Sequence, residues 1–157
     1  MKLSLIFLSI KNVPKTNWSS DTPLNFKPKL KTFILLCLGL SLFGFGESLL
    51  IHSTIGVSPW TVLAEGISLK LHWSVGFATF IVSVMVLSSW IFLKQKPGLG
   101  TLLNIIIIAG TIDLSLFLFD FSTNNLLLNV LTGILGVLFV GLGSGIYLIA
   151  NLGPGPR

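Results

Sequence analysis

The sequence predicts an all-α membrane protein, a polytopic bundle of about four transmembrane helices with one further short helix. Of its 157 residues, 52% are hydrophobic and only 10% are charged, against about 25% charged in an average soluble domain. The mean hydropathy of +0.93 agrees with this class. The composition excludes a disordered protein, a nucleic-acid-binding arm and an ordinary soluble enzyme.

Residues 1–32 are predicted to form a basic, flexible cytoplasmic tail. They hold six of the ten cations, all lysines, against Asp21 alone, and three prolines interrupt them. The remaining cations and acids balance. A basic tail of this kind stays on the cytoplasmic side and is attracted to anionic lipid headgroups. The bilayer is therefore the expected partner of this segment, and nucleic acid is not.

The transmembrane domain is predicted over residues 33–157. Four apolar stretches have the length of a spanning helix, and they cover about residues 33–51, 75–93, 101–121 and 126–150. Nineteen helical residues reach about 28 Å, which is close to the thickness of a hydrocarbon core. Helices are expected because lipid cannot satisfy the polar groups of an open backbone.

The connections between the spans predict the topology. Residues 94–100 contain two lysines, whereas residues 122–125 contain no cation. The positive-inside rule places the N-terminus and the 94–100 loop in the cytoplasm. The sequence thus predicts a multi-pass protein of the plasma membrane, which is the inner membrane where a bacterium has two, with its N-terminus in the cytoplasm.

Residues 58–73 are too short and too polar to span. Ser58 followed by Pro59 is typical of a helix start. Trp60, Leu63 and Ile67 then recur at spacings of three and four, which gives the helix one apolar face. A re-entrant or interfacial helix is predicted here.

A repeat at an offset of 97 residues links the first and fourth spans. Gly44-Phe45-Gly46 matches Gly141-Leu142-Gly143, Gly56 matches Gly153, and Pro59 matches Pro156. Three spans separate the two copies, and an odd number inverts the second copy. Inverted repeats are common in secondary transporters, where segments broken by Gly and Pro mark a binding site. The alternative is a duplication kept only for packing.

Several strings resemble the YczE/YitT family of bacterial integral membrane proteins. They include residues 55–63 (IGVSPWTVL), 97–104 (PGLGTLLN) and 141–157 (GLGSGIYLIANLGPGPR). The resemblance covers roughly residues 33–157 and implies a bacterial membrane location. It implies no defined activity. Family members continue beyond the second motif, so we expect this chain to be a C-terminally truncated member or fragment.

Asp113 is the leading candidate for chemistry, because it lies near the middle of its predicted span. A charged carboxylate there costs at least about 2.5 kcal/mol. A proton or cation site inside the bundle is one interpretation. The other is a packing role, with the acid bonded to a neighbouring Asn or Ser.

Glu47 lies about one turn inside the end of the first span, where the repeat has Ser144. It either reaches for the membrane interface or faces a cavity beside the Gly56–Trp60 turn.

The two Gly/Pro turns are the remaining candidates. Unwound backbone before a half-helix offers free N–H groups to an anionic substrate, and simple turns without a ligand are the alternative. The full predicted substrate or ion pathway comprises Asp113, Glu47, Asn104, Gly56, Pro59, Trp60, Gly153, Pro156 and Arg157. The sequence predicts no catalytic set, no metal ligands and no cofactor.

Two functions remain open from the sequence. The first is a small transporter or permease-like protein without enzymatic activity. The second is a non-transporting scaffold or regulator that uses its basic tail and glycine-rich faces to contact a second copy or a partner membrane protein.

Overall fold

A computed structural model of the chain describes residues 15–119 and 123–156. Within these residues the fold is all-helical, as predicted, and contains no strand. The helices are α1 (Leu30–Ser53), α2 (Pro59–Leu71), α3 (Val75–Phe92), α4 (Leu99–Leu118) and α5 (Leu126–Ala150). All except α2 are long and apolar enough to cross a membrane.

The helix bounds lie within two residues of the predicted spans except at the start of α1 and the end of α4, where they differ by three. Helix α1 begins at Leu30, three residues early, so it includes Lys31, whose long side chain is exposed. Helix α4 runs from Leu99 to Leu118, and Phe119 after it is extended. Hydropathy marks the apolar stretch rather than the helix ends. At α1 the apolar stem of Lys31 allows the helix to begin before that stretch, and α4 ends inside its own stretch.

Helix α2 has the start that the sequence predicts. Ser58 is its N-cap, with its side chain accepting a hydrogen bond from the Thr61 N–H, and Pro59 occupies the first helical position. Its 13 residues reach only about 20 Å. This length is too short for a span and fits a helix lying beside the bundle.

Helix α1 is the centre of the bundle, and α5 packs on it in the antiparallel direction through two pairs of glycines. A Cβ atom added to Gly46 would lie 2.7 Å from the Gly136 carbonyl oxygen, and one added to Gly39 would lie 3.1 Å from that of Gly143. Small residues allow membrane helices to approach this closely. The resulting van der Waals packing stabilises the pair, because within lipid the hydrophobic effect does not drive helices together.

Helix α4 packs on another face of α1, and α3 packs on α4. The first contact is made at Gly44, where an added Cβ would lie 2.8 Å from the Cβ of Thr111. The second is made at Gly76, where an added Cβ would collide with the carbonyl oxygen of Ala109. Two residues of α4, Ile108 and Ile112, join the buried cluster at the centre of the bundle.

The bundle has two ends, which we call the tail end and the α2 end. The tail end contains the starts of α1 and α4 and the end of α5; the α2 end contains α2 and the start of α3. Part of the predicted tail packs at the tail end: the Ser20 N–H donates to the Ala150 carbonyl at 3.0 Å, and Asn151 Nδ2 donates to the Ser20 carbonyl at 2.8 Å. These described tail residues therefore belong to the folded bundle. Residues 1–14 lie outside the described part.

Candidate functional site

The described residues of the predicted pathway lie in three groups, two of them at the α2 end of the bundle and one at the tail end. Because α1 and α5 are antiparallel, the turns that follow them lie at opposite ends of the bundle. The structure therefore does not bring all the predicted residues together in one place. Glu47, Gly56, Pro59 and Trp60 lie at the α2 end; Asn104, Gly153 and Pro156 lie at the tail end; and Asp113 lies beside the start of α3. Arg157 is outside the described residues.

Glu47 is the most deeply buried acid in the described part of the chain. It lies on α1 and exposes only 1% of its surface. Its Oε2 atom accepts hydrogen bonds from Thr61 Oγ1 at 2.6 Å and from Ser58 Oγ at 3.4 Å. The sequence left open whether this acid reaches for the interface, and in the structure it points into the fold.

The two hydroxyl groups belong to the first turn of α2. Ser58 is the N-cap and Thr61 the third helical residue, and their oxygens lie 3.0 Å apart. The carboxylate of Glu47 therefore faces the N-terminus of α2, whose dipole favours negative charge. The glutamate, the cap and the helix N-terminus form one polar cluster at the α2 end of the bundle.

A second acid lies close enough to interact with this cluster. Glu65 is on α2, one turn beyond Thr61, and is half-buried. Burial raises the pKa of Glu65 above its usual 4.5, and the negative charge of Glu47 raises it further. A partly exposed carboxylate thus lies within electrostatic range of a buried one.

The Gly/Pro turn beside Glu47 is open. Gly56 has no neighbouring atom within 4 Å of an added Cβ, and Pro59 is exposed. Trp60 is half-buried in the first turn of α2. This turn positions Ser58 and Thr61 over Glu47 and leaves its own backbone accessible.

Asp113 connects two helices. Its Oδ2 accepts from Ser74 Oγ at 2.6 Å and its Oδ1 from the Gly76 N–H at 2.7 Å. Ser74 is the N-cap of α3, so Asp113 satisfies N-terminal donors of that helix. Asp113 is level with the start of α3, at the edge of a shallow groove, and not in the middle of a span. The structure supports the packing interpretation.

The second Gly/Pro turn, residues 151–156, closes onto the start of α4. The Gly100 N–H donates to the Leu152 carbonyl at 2.7 Å, and Thr101 Oγ1 donates to the Pro154 carbonyl at 2.6 Å. Two of the strings that carry the family resemblance, 97–104 and the described end of 141–157, therefore meet. They form a joint at the tail end of the bundle.

Asn104 lies under this joint and is 5% exposed. Within the described residues its Oδ1 atom has no hydrogen-bond partner. An added Cβ at Gly155 would lie 3.4 Å from its Nδ2 atom, and Pro156 is buried beside them. The hydroxyl of Tyr147 donates to the Gly153 carbonyl at 2.6 Å.

Sequence reasoning missed the hydroxyl groups that hold both turns. Ser58 was identified as a cap but not as a partner of an acid, and no role was assigned to Thr61, Thr101 or Tyr147. A usable signal exists, because a hydroxyl at an N-cap and another three residues later both point back at the helix start. Such a pair offers two donors to a nearby acid.

Comparison with known proteins gives a family but no activity. Residues 30–157 match a family model described as a family of unknown function, DUF6198. An uncharacterised protein of Haemophilus influenzae is 36% identical over 148 residues, or 94% of this chain. The uncharacterised membrane protein YczE of Bacillus subtilis is 31% identical over 76% of it, and the uncharacterised protein YyaS of the same organism is 34% identical over 71%.

The chain covers 66% of the length of the Haemophilus relative and 56% and 57% of the two Bacillus relatives. No solved structure matches the chain.

Proposed function

The chain belongs to the YczE-like family of membrane proteins described as DUF6198, and on that premise we propose that it is a small permease that moves protons through Glu47. One observation carries the proposal. Glu47 is an almost fully buried acid on a helix long enough to span a membrane, and its hydrogen bonds come from two hydroxyl groups. Ionisable residues within spanning segments mark ion and proton pathways.

The hydroxyl partners suit proton exchange. Ser and Thr hydroxyls both donate and accept, so Ser58 and Thr61 can remain hydrogen-bonded to Glu47 whether the acid is charged or neutral. A lysine or arginine in their place would hold the acid in its charged form. The Thr61 contact at 2.6 Å and the Ser58–Thr61 contact at 3.0 Å extend the polar cluster toward α2.

Glu65 supplies the aqueous end of the pathway. It is half-buried, and its pKa is raised by burial and by the charge of Glu47. A carboxyl group with a raised pKa carries a proton over a wider range of pH than an exposed glutamate does. We assign it the role of passing protons between solvent and Glu47.

The proposal includes an orientation in the membrane. The lysines of the tail and of the 94–100 loop put the tail end in the cytoplasm of a bacterial plasma membrane and the α2 end outside. Glu65 then faces the outer solution, and the basic tail contacts anionic lipid. The activity is transport rather than an enzymatic reaction.

A flux assay tests the function. The purified protein is reconstituted into liposomes that contain a pH-sensitive dye, and a potassium diffusion potential set with valinomycin drives proton entry. We expect the wild-type protein to acidify the lumen and Glu47→Gln to reduce the rate to that of empty vesicles, because the amide cannot exchange the proton.

Ser144→Ala is the matched control. Ser144 is the residue that the repeat places opposite Glu47, and it is half-buried on α5. Its loss is expected to leave the flux unchanged. A wild-type rate equal to that of empty vesicles would contradict the proposal, and so would a Glu47→Gln protein as active as the wild type.

A non-transporting scaffold or regulator is the second candidate. The observation that favours it is an open apolar groove between α1 and α5, lined by residues that include Leu50, Ile55, Ile134 and Val137. Absence of flux together with a stable complex through this groove would favour the scaffold.

A further inference from the structure

Helices α1 and α5 correspond to one another at the offset of 97 residues. Helix α1 ends at Ser53 and α5 at Ala150, which are 97 residues apart. Each helix is followed by a non-glycine residue in the left-handed region, Thr54 at φ 54° and Asn151 at φ 50°. The two helices thus end at equivalent positions in the same backbone conformation.

The glycine contacts between the two helices also exchange under this offset. Gly39 corresponds to Gly136, and Gly46 corresponds to Gly143. The contact between Gly39 and Gly143 is therefore converted into the contact between Gly136 and Gly46, and the structure contains both. An interface in which residue i contacts j and the equivalents of i and j exchange is the mark of a two-fold axis.

We propose that a pseudo-two-fold axis relates α1 to α5, and that the open groove beside α5 is the docking face for one further spanning helix, which packs on α5 as α4 packs on α1. Rotation about this axis carries the position of α4 to a position beside α5, where the equivalent helix would run in the direction opposite to α4. The support comes from comparing the side of the bundle that α4 covers, here called the filled side, with the side that contains the open groove, here called the open side.

The filled side contains the buried cluster at the centre of the bundle. Two of its residues come from α4, namely Ile108 and Ile112. The other five come from α1, α5 and the turn after α5, and they are Leu36, Leu40, Tyr147, Ala150 and Leu152.

The offset carries these five residues onto one groove. Their equivalents are Gly133, Val137, Leu50, Ser53 and Ile55. All five line the open groove between α1 and α5, which has a volume of about 390 Å³. The groove therefore has the residues equivalent to those of the central cluster, except that no described residue takes the place of Ile108 and Ile112 of α4.

Exposure and close contacts agree with this correspondence. Leu40 is 0% exposed and its equivalent Val137 is 60%; Leu152 is 1% exposed and its equivalent Ile55 is 55%. Lipid tails can cover any apolar helix face, so exposure alone is no sign of a partner. The evidence for a helix is that the residues of the buried cluster beside α4 are equivalent, at the offset of 97, to the residues that line the open groove.

The glycines that receive α4 show the same difference. Gly44 is in tight contact with α4, whereas around its equivalent Gly141 there is no atom within 4 Å of an added Cβ. Gly153 is packed against Gly98, whereas Gly56 has open space around it. A spanning helix that begins near Gly56 and passes Gly141 would repeat the contacts of α4.

We assign the groove to a helix from the part of the longer relatives that lies outside their match to this chain. A third of the Haemophilus relative and more than two fifths of YczE are outside the match, which is ample for a helix of the 20 residues of α4. We expect this helix to be apolar, with branched side chains four residues apart, as Ile108 and Ile112 are in α4.

Photo-cross-linking tests this assignment. The chain carries p-benzoylphenylalanine in place of Val137 and is produced in one membrane with the unmatched part of the Haemophilus relative. Mass spectrometry then identifies each adduct. We expect an adduct with a single apolar helix of that polypeptide, and none from the same probe in place of Met85, an equally exposed residue of α3 (63%).

A glycine pair provides the matched variants. Gly141→Leu should abolish the adduct because Gly141 is the equivalent of Gly44, where α4 makes its close contact with α1, and a leucine there would block the docking helix. Gly110→Leu on α4 should retain the adduct. A Cβ added at either glycine has no atom within 4 Å. In a second measurement the probe is placed in the full-length Haemophilus relative at the position that aligns with Val137. An internal cross-link to its unmatched part is expected there. Adducts with a second copy of the chain, or with lipid alone, would overturn the proposal.

Discussion

The two Gly/Pro turns share a sequence pattern but differ in what surrounds them. At the tail end, the carbonyl oxygens of Leu152, Gly153 and Pro154 all accept hydrogen bonds, from the start of α4 and from Tyr147. At the α2 end, the turn of residues 54–58 is open, and the hydroxyl group of Ser58 donates to Glu47. The shared pattern of a glycine followed three residues later by a proline therefore occurs in a closed structural joint at one end and in an accessible turn beside an acid at the other.

The neighbouring helix explains the difference. Helix α4 covers the tail-end turn with Gly98, Gly100 and Thr101, and the described residues place no equivalent helix over the other turn. Short Gly/Pro segments gain their conformation from such neighbours, since they have few internal hydrogen bonds of their own. Variants in the two turns should consequently separate stability from function.

The largest difference between the two turns is expected when the central glycine of each is replaced by valine. Gly153 has φ +112°, and an added Cβ would lie 2.8 Å from the Gly98 Cα. Gly153→Val should cost more than the roughly 1–3 kcal/mol of backbone strain alone, and the protein should unfold or fail to accumulate. Gly56→Val should change stability by no more than about 0.5 kcal/mol. Thermal unfolding in detergent measures both; equal losses would contradict the comparison.

A smaller difference is expected from truncating the aliphatic residue of each turn. Leu152 is fully buried, so Leu152→Ala should leave a cavity and lower the free energy of unfolding by about 2–5 kcal/mol. Ile55→Ala removes an exposed side chain and should be nearly neutral. Denaturant titration of the two variants measures the difference. A marked loss in the Ile55 variant of this chain would show that its turn is already covered.

Replacing a hydroxyl group at each end should separate the two roles. Thr101→Val removes the bond to Pro154 and should cost about 1–2 kcal/mol of stability, with proton flux per folded molecule unchanged. Thr61→Val removes the 2.6 Å partner of Glu47 and should lower the flux. Both are measured on the same proteoliposomes. Flux that depends on Thr101 and not on Thr61 would reverse the assignment of the two ends.

The smallest effect is a pH dependence at the α2 end. Because the pKa of Glu65 is raised by burial and by Glu47, the folded state binds this proton more tightly than the unfolded state does. Stability should be highest below about pH 4.5 and should decline as the pH rises through the raised pKa. Glu65→Gln should remove this slope, which unfolding at several pH values would detect; a rising slope would contradict the assignment.

Much of the fold could be predicted from the sequence, because hydropathy and helix caps are local. Ser58 and Pro59 fixed the start of α2, and the four apolar stretches fixed the long helices to within a few residues. The repeat did not by itself identify the helix faces that meet. Its Gly46 and Gly143 lie in the contact between α1 and α5, whereas Gly141, which the repeat also contains, lies in open space.

The candidate site could not be predicted in the same way. Counting along its span placed Asp113 near the middle, but the span ends earlier than the apolar stretch and the stagger of α3 brings Ser74 and Gly76 to it. Likewise, the contact of Glu47 with Thr61 depends on how the 54–58 turn folds back over α1. Such relations between helices are not encoded in the periodicity of either one.

The most direct test compares the two acids, Glu47 and Asp113, in one experiment. Glu47→Gln and Asp113→Asn are reconstituted at equal protein content, and proton flux and thermal stability are measured for each. We expect Glu47→Gln to lose the flux and remain folded, and Asp113→Asn to be less stable and to keep its flux per folded molecule. Flux that is lost in Asp113→Asn and retained in Glu47→Gln would contradict this expectation.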